Sequence, residues 1–226
     1  MNAVFTINGK QIETERLILR AFCQDDLEDF YQYASVQGVG ERAGWCHHKS
    51  REESQSKLDS FVLEDQTFAI CLKSNNKVIG SLGVKQYGLE DKLTEFTNYQ
   101  GRELGFVLNK DYWNKGIMTE AVKAVINYLF NECHLDFLTC GHFISNTSSQ
   151  RVQQKCGFKP YRKLVCDTSM GTQETTILNL LVNPRKEITF NFSHKRAIKK
   201  ISPQKALIFQ GFFAFFGRNF LVRFCR

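Results

Sequence analysis

The sequence predicts an α+β fold: a mixed, mostly antiparallel central sheet flanked by helices, in a domain over residues 1–185, with a C-terminal extension over 186–226. The periodic segments follow one another as strand, two helices, three strands, helix, strand, helix, two strands, an order of mixed runs rather than strict β-α alternation. A turn signal, Ser74-Asn75-Asn76, sits between two apolar runs and makes them a hairpin, hence antiparallel. The chain has 226 residues, 42% of them hydrophobic, enough for one packed core.

Arg16 to Phe22 reads as the opening strand. Leu27, Phe30, Tyr31 and Ala34 fall on one face of a helix, and Asp25 with Glu28 has the spacing of a capping box at its start. Residues 36–49 carry glycines, Trp45, His47 and His48, and read as a loop. Ser50 and Glu53 repeat the capping spacing, and Leu58, Phe61 and Val62 give the second helix its apolar face. Residues 67–73 and 77–86 form the hairpin, 88–100 a polar loop, and Glu103 to Leu108 the next strand. From about Gly116 to Asn131, Ile117, Ala121, Ala124, Val125, Tyr128 and Leu129 keep helical spacing. Phe137 to Ile144 is a strand and Thr147 to Cys156 a short helix closed by Gly157. Strands near 158–166 and 173–182 end the domain.

Charge is distributed unevenly. The net charge is +7, but residues 186–226 hold nine Lys or Arg against the single acid Glu187. The domain itself is close to neutral, so no nucleic-acid partner is expected for it. None of the eight cysteines forms a C-x-x-C pair, and no apolar leader opens the chain, so a reduced, cytoplasmic protein is expected. Adjacent His47 and His48 lack metal-ligand spacing with any cysteine pair, and no metal is expected. The extension holds nine of the 20 phenylalanines. Its apolar run 206–217 is too short to span a bilayer. Flanking basic residues suit a membrane-surface helix; a non-native read-through tail fits equally well, and packing on the domain or a second subunit is a third option.

The strongest local signal is Leu108-Asn-Lys-Asp-Tyr-Trp-Asn-Lys-Gly-Ile-Met-Thr-Glu-Ala121. A strand ends, a polar loop follows, and a helix opens at Gly116. A helix N-terminus presents unpaired N–H groups and about half a positive charge, which suits an anion such as a pyrophosphate. An ordinary helix start with a loop glycine has the same pattern, so spacing alone leaves both open.

Tyr112 to Ala121 resembles the pyrophosphate loop of GNAT acetyltransferases, above all the branch of ribosomal-protein N-terminal (Rim-type) enzymes. Glu13-Thr-Glu-Arg-Leu-Ile-Leu-Arg20 resembles that branch's first strand, and Val78-Ile-Gly-Ser-Leu-Gly83 its second hairpin. Asn146-Thr-Ser-Ser-Gln-Arg-Val-Gln-Gln-Lys-Cys-Gly-Phe158 resembles its second cofactor motif. Together these pieces cover roughly residues 12–183 in the family's order. Trp113, Asn114 and Met118 depart from the usual loop.

The resemblance implies a GNAT-like fold and an N-acetyltransferase that moves an acetyl group from acetyl-CoA, its co-substrate, to a primary amine by direct attack in a ternary complex. The acceptor would be a protein N-terminus or a small-molecule amine, and the enzyme a monomer or homodimer. It implies cofactor binding by Asn114, Lys115, Gly116, Ile117, Met118 and Thr119, by the backbone of Phe106, Val107 and Leu108, and by Asn146 and Ser149. Only the neutral amine attacks. Deprotonating a lysine-like amine at pH 7 costs about 4.6 kcal/mol, an α-amine only about 1.1. Glu103 is the candidate base, direct or through water; a solvated strand carboxylate has the same appearance. The acid Tyr of many GNAT enzymes is absent from Gln153-Gln-Lys-Cys-Gly-Phe158, and Ser149 is the candidate acid on the leaving thiolate, although such a hydroxyl is often only a cap. Alternatives from other classes are a non-catalytic acyl-CoA-binding module on the same fold, and a membrane-surface protein defined by the extension.

Overall fold

A computed structural model describes residues 2–87 and 96–186, with the backbone of two short paired strands at Ile188–Phe190 and Lys199–Ile201. The expected loop over 88–100 is therefore described only from residue 96, and the apolar run 206–217 lies outside the described residues. Among the described residues no helix is long and apolar enough to cross a membrane.

One sheet contains β1 (Ile12–Glu13), β2 (Leu17–Ala21), β3 (Thr67–Leu72), β4 (Val78–Lys85), β5 (Gly101–Leu108), β6 (Phe137–Phe143), β7 (Lys159–Asp167) and β8 (Gln173–Val182), in the order β1-β2-β3-β4-β5-β6-β8-β7. Helices α1 (Leu27–Ala34), α2 (Arg51–Glu64), α3 (Ile117–Asn131) and α4 (Thr147–Lys155) flank it. This is the mixed, mostly antiparallel α+β architecture expected from the sequence.

Two apolar layers hold the sheet. The face Ala121, Val122, Val125 and Leu129 of α3 packs without exposure on Leu17, Leu19, Phe68 and Leu138. On the other side α1 and α2 place Phe30, Tyr33 and Leu58 over Ala69, Cys71 and Val78. Each buried side chain of this size contributes about 1.5–3 kcal/mol. The position that joins Leu58 and Phe61 on the α2 face is not Val62, which is exposed, but Ser54, buried and bonded to His48 Nδ1 at 2.7 Å.

Local signals mostly hold, with shifts. The first helix is not capped by Asp25. A 3-10 turn over Gln24–Asp26 precedes α1, so Asp26 is the residue at its start, while Cys23 caps the turn and donates its N–H to the Asp26 carboxylate at 2.9 Å. Ser50 Oγ does cap α2, accepting from the Glu53 N–H at 3.4 Å, but the Glu53 carboxylate reaches back to the Lys49 N–H at 2.7 Å. Gly157, at φ 91°, ends α4 as expected: its N–H meets the Gln154 carbonyl and the Phe158 N–H the Gln153 carbonyl, each at 3.1 Å. Residues 2–8 were not expected to join the core. Ala3, Phe5 and Ile7 are buried while Val4, Thr6 and Asn8 are exposed, and the Ala3 N–H bonds to the Gly101 carbonyl at 3.2 Å.

One feature of the sheet sets the place of the site. β5 and β6 are its parallel neighbours, and they pair only from Gly101↔Phe137 to Glu103↔Thr139. A side chain at residue 101 would collide with the Phe137 ring, so glycine lets the strands meet there. Beyond Glu103 and Thr139 both strands continue unpaired to each other, and a wedge opens between them.

Candidate functional site

The segment after β5 shapes one end of the wedge. A 3-10 turn over Lys110–Tyr112 follows the strand, with Asn109 Oδ1 accepting from the Asp111 N–H at 3.0 Å. Asn114 and Gly116 then both take left-handed backbone, φ 61° and 77°. Asparagine tolerates that region and glycine enters it without strain, so the chain reverses and presents the start of α3. The first bond into the helix runs from the Glu120 N–H to the Gly116 carbonyl at 3.0 Å. The N–H groups of Ile117, Met118 and Thr119 precede it at the positive end of the helix. Ile117 and Met118 turn their side chains into the core, at 4% and 6% exposure. The departure at Met118 therefore leaves the anion-facing surface to backbone.

An ionic knot holds this loop, and sequence reading missed it. Arg16 donates to the Lys115 carbonyl at 3.0 Å and to the Glu120 carboxylate at 2.6–2.7 Å. Thr14 Oγ1 donates to the same carboxylate at 2.6 Å. Burial works against the charge on Glu120, but the bonds from Thr14 and Arg16 hold its carboxyl below the usual range.

Along β5 the backbone directions alternate. The Asn109 N–H bonds to the Ile79 carbonyl at 2.8 Å, so the odd-numbered residues of β5 face β4. Phe106 and Leu108 turn their backbone groups to the wedge, whereas Val107 does not. The Leu108 carbonyl is taken by Trp113 Nε1 at 2.8 Å, and among the described residues the β5–β6 pairing stops short of the Phe106 N–H and carbonyl. The Arg42 guanidinium lies 4.8 Å from the Trp113 ring centre, closing that side.

Glu103 sits where the wedge begins, half-buried and opposite Lys85 in the strand register. Its Oε1 lies 4.0 Å from where a Cβ on Gly141 would stand, so the carboxylate leans across the opening toward β6. Gly105, two residues on, is exposed with open space above it. Burial pushes the Glu103 carboxyl up to about 7, with the Lys85 charge pulling the other way. A group at that value holds and releases a proton near neutrality.

Across the wedge, Asn146 caps α4 by accepting from the Ser149 N–H at 3.1 Å. Its Nδ2 donates to the Arg42 carbonyl at 3.1 Å. Ser149 Oγ accepts from Gln153 Nε2, which also donates to the Gly141 carbonyl, both at 3.1 Å. Gly141 thus neighbours both Glu103 and the group that holds Ser149.

The other sequence candidates take structural places. Trp45 packs directly on Gly40 and on the α1–α2 layer, anchoring its loop. His47 pairs with Glu41 at 2.7 Å. Among the described residues no cluster of His, Cys, Asp or Glu has the arrangement to hold a metal ion.

Comparison with known proteins shows the family and the fold. Residues 16–159 match the protein-family model described as Acetyltransferase (GNAT) domain. An uncharacterized N-acetyltransferase of Bacillus subtilis, YoaA, is 26% identical over 183 residues, covering 77% of this chain and 98% of that protein. A GNAT-family acetyltransferase from Bacillus anthracis superposes with a TM-score of 0.67 at 23% identity, covering 77% of this chain and 99% of that one. The ribosomal-protein-S5-alanine acetyltransferase of Vibrio fischeri superposes at 0.59 with 20% identity, covering 78% and 98%. Spermidine N-acetyltransferase of Vibrio cholerae, solved with CoA and spermine, superposes at 0.60 with 14% identity, covering 75% and 97%.

Proposed function

The chain belongs to the GNAT acetyltransferase family, and from that premise we propose that it moves an acetyl group from acetyl-CoA to a primary α-amine by direct attack in a ternary complex. Supporting this are the wedge that opens at Glu103, whose carboxyl burial pushes up to about 7, and the Ser149 hydroxyl held by the Gln153 amide that also bonds Gly141.

The residues fit acetyl-CoA as substrate. The N–H groups of Ile117, Met118 and Thr119, with Gly116 allowing close approach, suit its pyrophosphate. Phe106 offers a backbone N–H and carbonyl to a molecule extended along the wedge. The amine lone pair then attacks the thioester carbon, and the carbonyl electrons move to oxygen, where the Phe106 N–H stabilises the charge. Glu103 takes one proton from the new nitrogen. The C–S bond breaks, and Ser149 Oγ–H passes its proton to sulfur. Glu103 returns its proton to water and Ser149 regains one, so the products are the amide and free CoA.

The basicity of the amine bears on the acceptor. An α-amine (pKa about 7.8) lies within one unit of pH 7, a deprotonation cost of about 1.1 kcal/mol. A lysine-like amine (pKa about 10.4) lies more than three units away, about 4.6 kcal/mol. The Vibrio fischeri neighbour is named for an alanine of ribosomal protein S5, and the Vibrio cholerae neighbour for the polyamine spermidine.

Thiol release from acetyl-CoA tests the proposal, measured with peptides beginning in Ala or Ser and with spermine. Turnover with the peptides is expected. Acetyl-CoA binding without turnover on any of these amines would leave a non-catalytic acyl-CoA-binding module as the better account.

A further inference from the structure

The position at which many GNAT enzymes carry an acid tyrosine is Gln153 here, and its side chain is 1% exposed. A buried amide in a helix as polar as α4 requires partners, and they lie on both its nitrogen and its oxygen. Nε2 donates to the Gly141 carbonyl and to Ser149 Oγ, both at 3.1 Å. Oε1 accepts from Asn179 Nδ2 at 2.6 Å. Asn179, 4% exposed, lies with the same nitrogen 3.0 Å from Nδ1 of His142, which is 7% exposed. Burial keeps the His142 imidazole below its usual value, hence neutral at pH 7, and able to accept at Nδ1.

The direction of this chain of bonds is dictated from one end. A backbone carbonyl only accepts, so the Gln153 nitrogen must face Gly141. That nitrogen's second proton then points at Ser149, and Ser149 Oγ must accept it. A hydroxyl that accepts from behind has its own proton free for something else, and a donor on its lone pair makes that proton a better one to give. The sequence of bonds runs from Asn179 and β6 through Gln153 to Ser149.

We propose that Gln153 is a positioning residue that fixes Ser149 as a hydrogen-bond donor toward the departing sulfur of CoA. This rests on the acetyl-transfer reaction and the role of Ser149 proposed above. Gln153 does not touch the reacting atoms. It acts by donating into a lone pair of Ser149 Oγ, so that the Ser149 O–H cannot turn toward Gln153 and points away from it.

The test is a double-mutant cycle with acetyl-CoA and the Ala- or Ser-initiated peptide that turns over fastest. Gln153→Met removes both donors at similar length, and Gln153→Glu keeps the shape but offers acceptors where Ser149 needs a donor. Each is expected to lower kcat about tenfold, with KM for acetyl-CoA within twofold of the parent and circular dichroism unchanged. In a Ser149→Ala background, Gln153→Met is expected to lower kcat no further. An equal additional loss in that background would assign Gln153 to packing and overturn the proposal. So would a full kcat in either folded variant while Ser149→Ala is impaired. A Ser149→Ala protein with parental kcat would instead remove Ser149 from the reaction, and the role of Gln153 with it. The isosteric Gln153→Glu serves where Gln153→Met does not fold.

Discussion

Replacing Glu103 by Gln separates its catalytic use from its cost to the fold. The carboxyl moves from an ordinary value of 4.5 to about 7 because burial disfavours its charge. The ionised form is the one penalised, so the penalty is absent well below 4.5, grows between 4.5 and 7, and is complete above about 7. The full shift corresponds to at most about 3 kcal/mol at pH 8 and falls to under about 1 kcal/mol at pH 5. Part of the residue faces the wedge, which makes the higher figure an upper bound. The amide of the variant carries no charge at either pH. Denaturant melts should therefore show the variant more stable than the parent at pH 8, with the difference shrinking several-fold at pH 5. Activity should move the other way. The kcat of the parent should rise with pH through an inflection near 7 and level off above it. The variant should lose about 10²–10⁴-fold and lack that inflection. Equal stabilities at both pH values would show that the carboxyl is not desolvated. An unchanged pH profile in the variant would place the base elsewhere.

Other expectations follow from the same geometry. Gly116→Ala adds a Cβ that meets only Arg16 at 3.6 Å, so its effect is backbone strain at φ 77°, a loss of about 1–2 kcal/mol in thermal stability with weaker acetyl-CoA binding by calorimetry. Arg16→Ala unties the loop from the Glu120 carboxylate and should raise the Kd for acetyl-CoA several-fold, by more at low salt than at 1 M, because the pair is partly exposed. Arg20→Ala strands the Asp26 carboxylate, 5% exposed and held by two bonds of 2.7–2.8 Å, and should cost about 3 kcal/mol in urea melts. Burial alone would raise the Asp26 carboxyl, but the Arg20 bonds bring it below the usual 3.8. Its contribution is thus present above about 3.8 and lost as pH falls through the lower folded value, so the parent's advantage over Arg20→Ala should disappear in acid.

What could be seen in the sequence were features confined to a few neighbouring residues. Gly116 at the head of a long amphipathic run is enough to locate a helix end and its free N–H groups. Ser50 and Gly157 punctuate their helices for equally local reasons. Glu103 was visible as a carboxylate on the right strand, but not its leaning toward Gly141, because the pairing of β5 with β6 joins segments more than 30 residues apart and stops after three residue pairs. Arg16 and Glu120 both lie in motifs that stood out, yet their ion pair joins positions 104 residues apart and leaves no mark in either motif. Gln153 was hidden for another reason. In a helix reading Thr-Ser-Ser-Gln-Arg-Val-Gln-Gln-Lys, a glutamine suggests solvent, and it is Gly141 and Asn179 on neighbouring strands that make it a core residue. The alternation of Ala3, Phe5 and Ile7 was legible and is the signal that could have placed residues 2–8 against the sheet.

The short contact between β5 and β6 has a mechanical consequence. Three residue pairs at one end join the two halves of the sheet, β1 to β5 and β6 to β7, like the spring of a clothes peg. An extended molecule carrying its own amide groups, lying between the open jaws, would bond to both lips and become a strand that the chain does not encode. The loaded protein would then have its sheet bridged along the whole of β5 and β6, where the empty one is joined over three residue pairs. Departure of such a molecule would remove a structural member and return the sheet to its three-pair join.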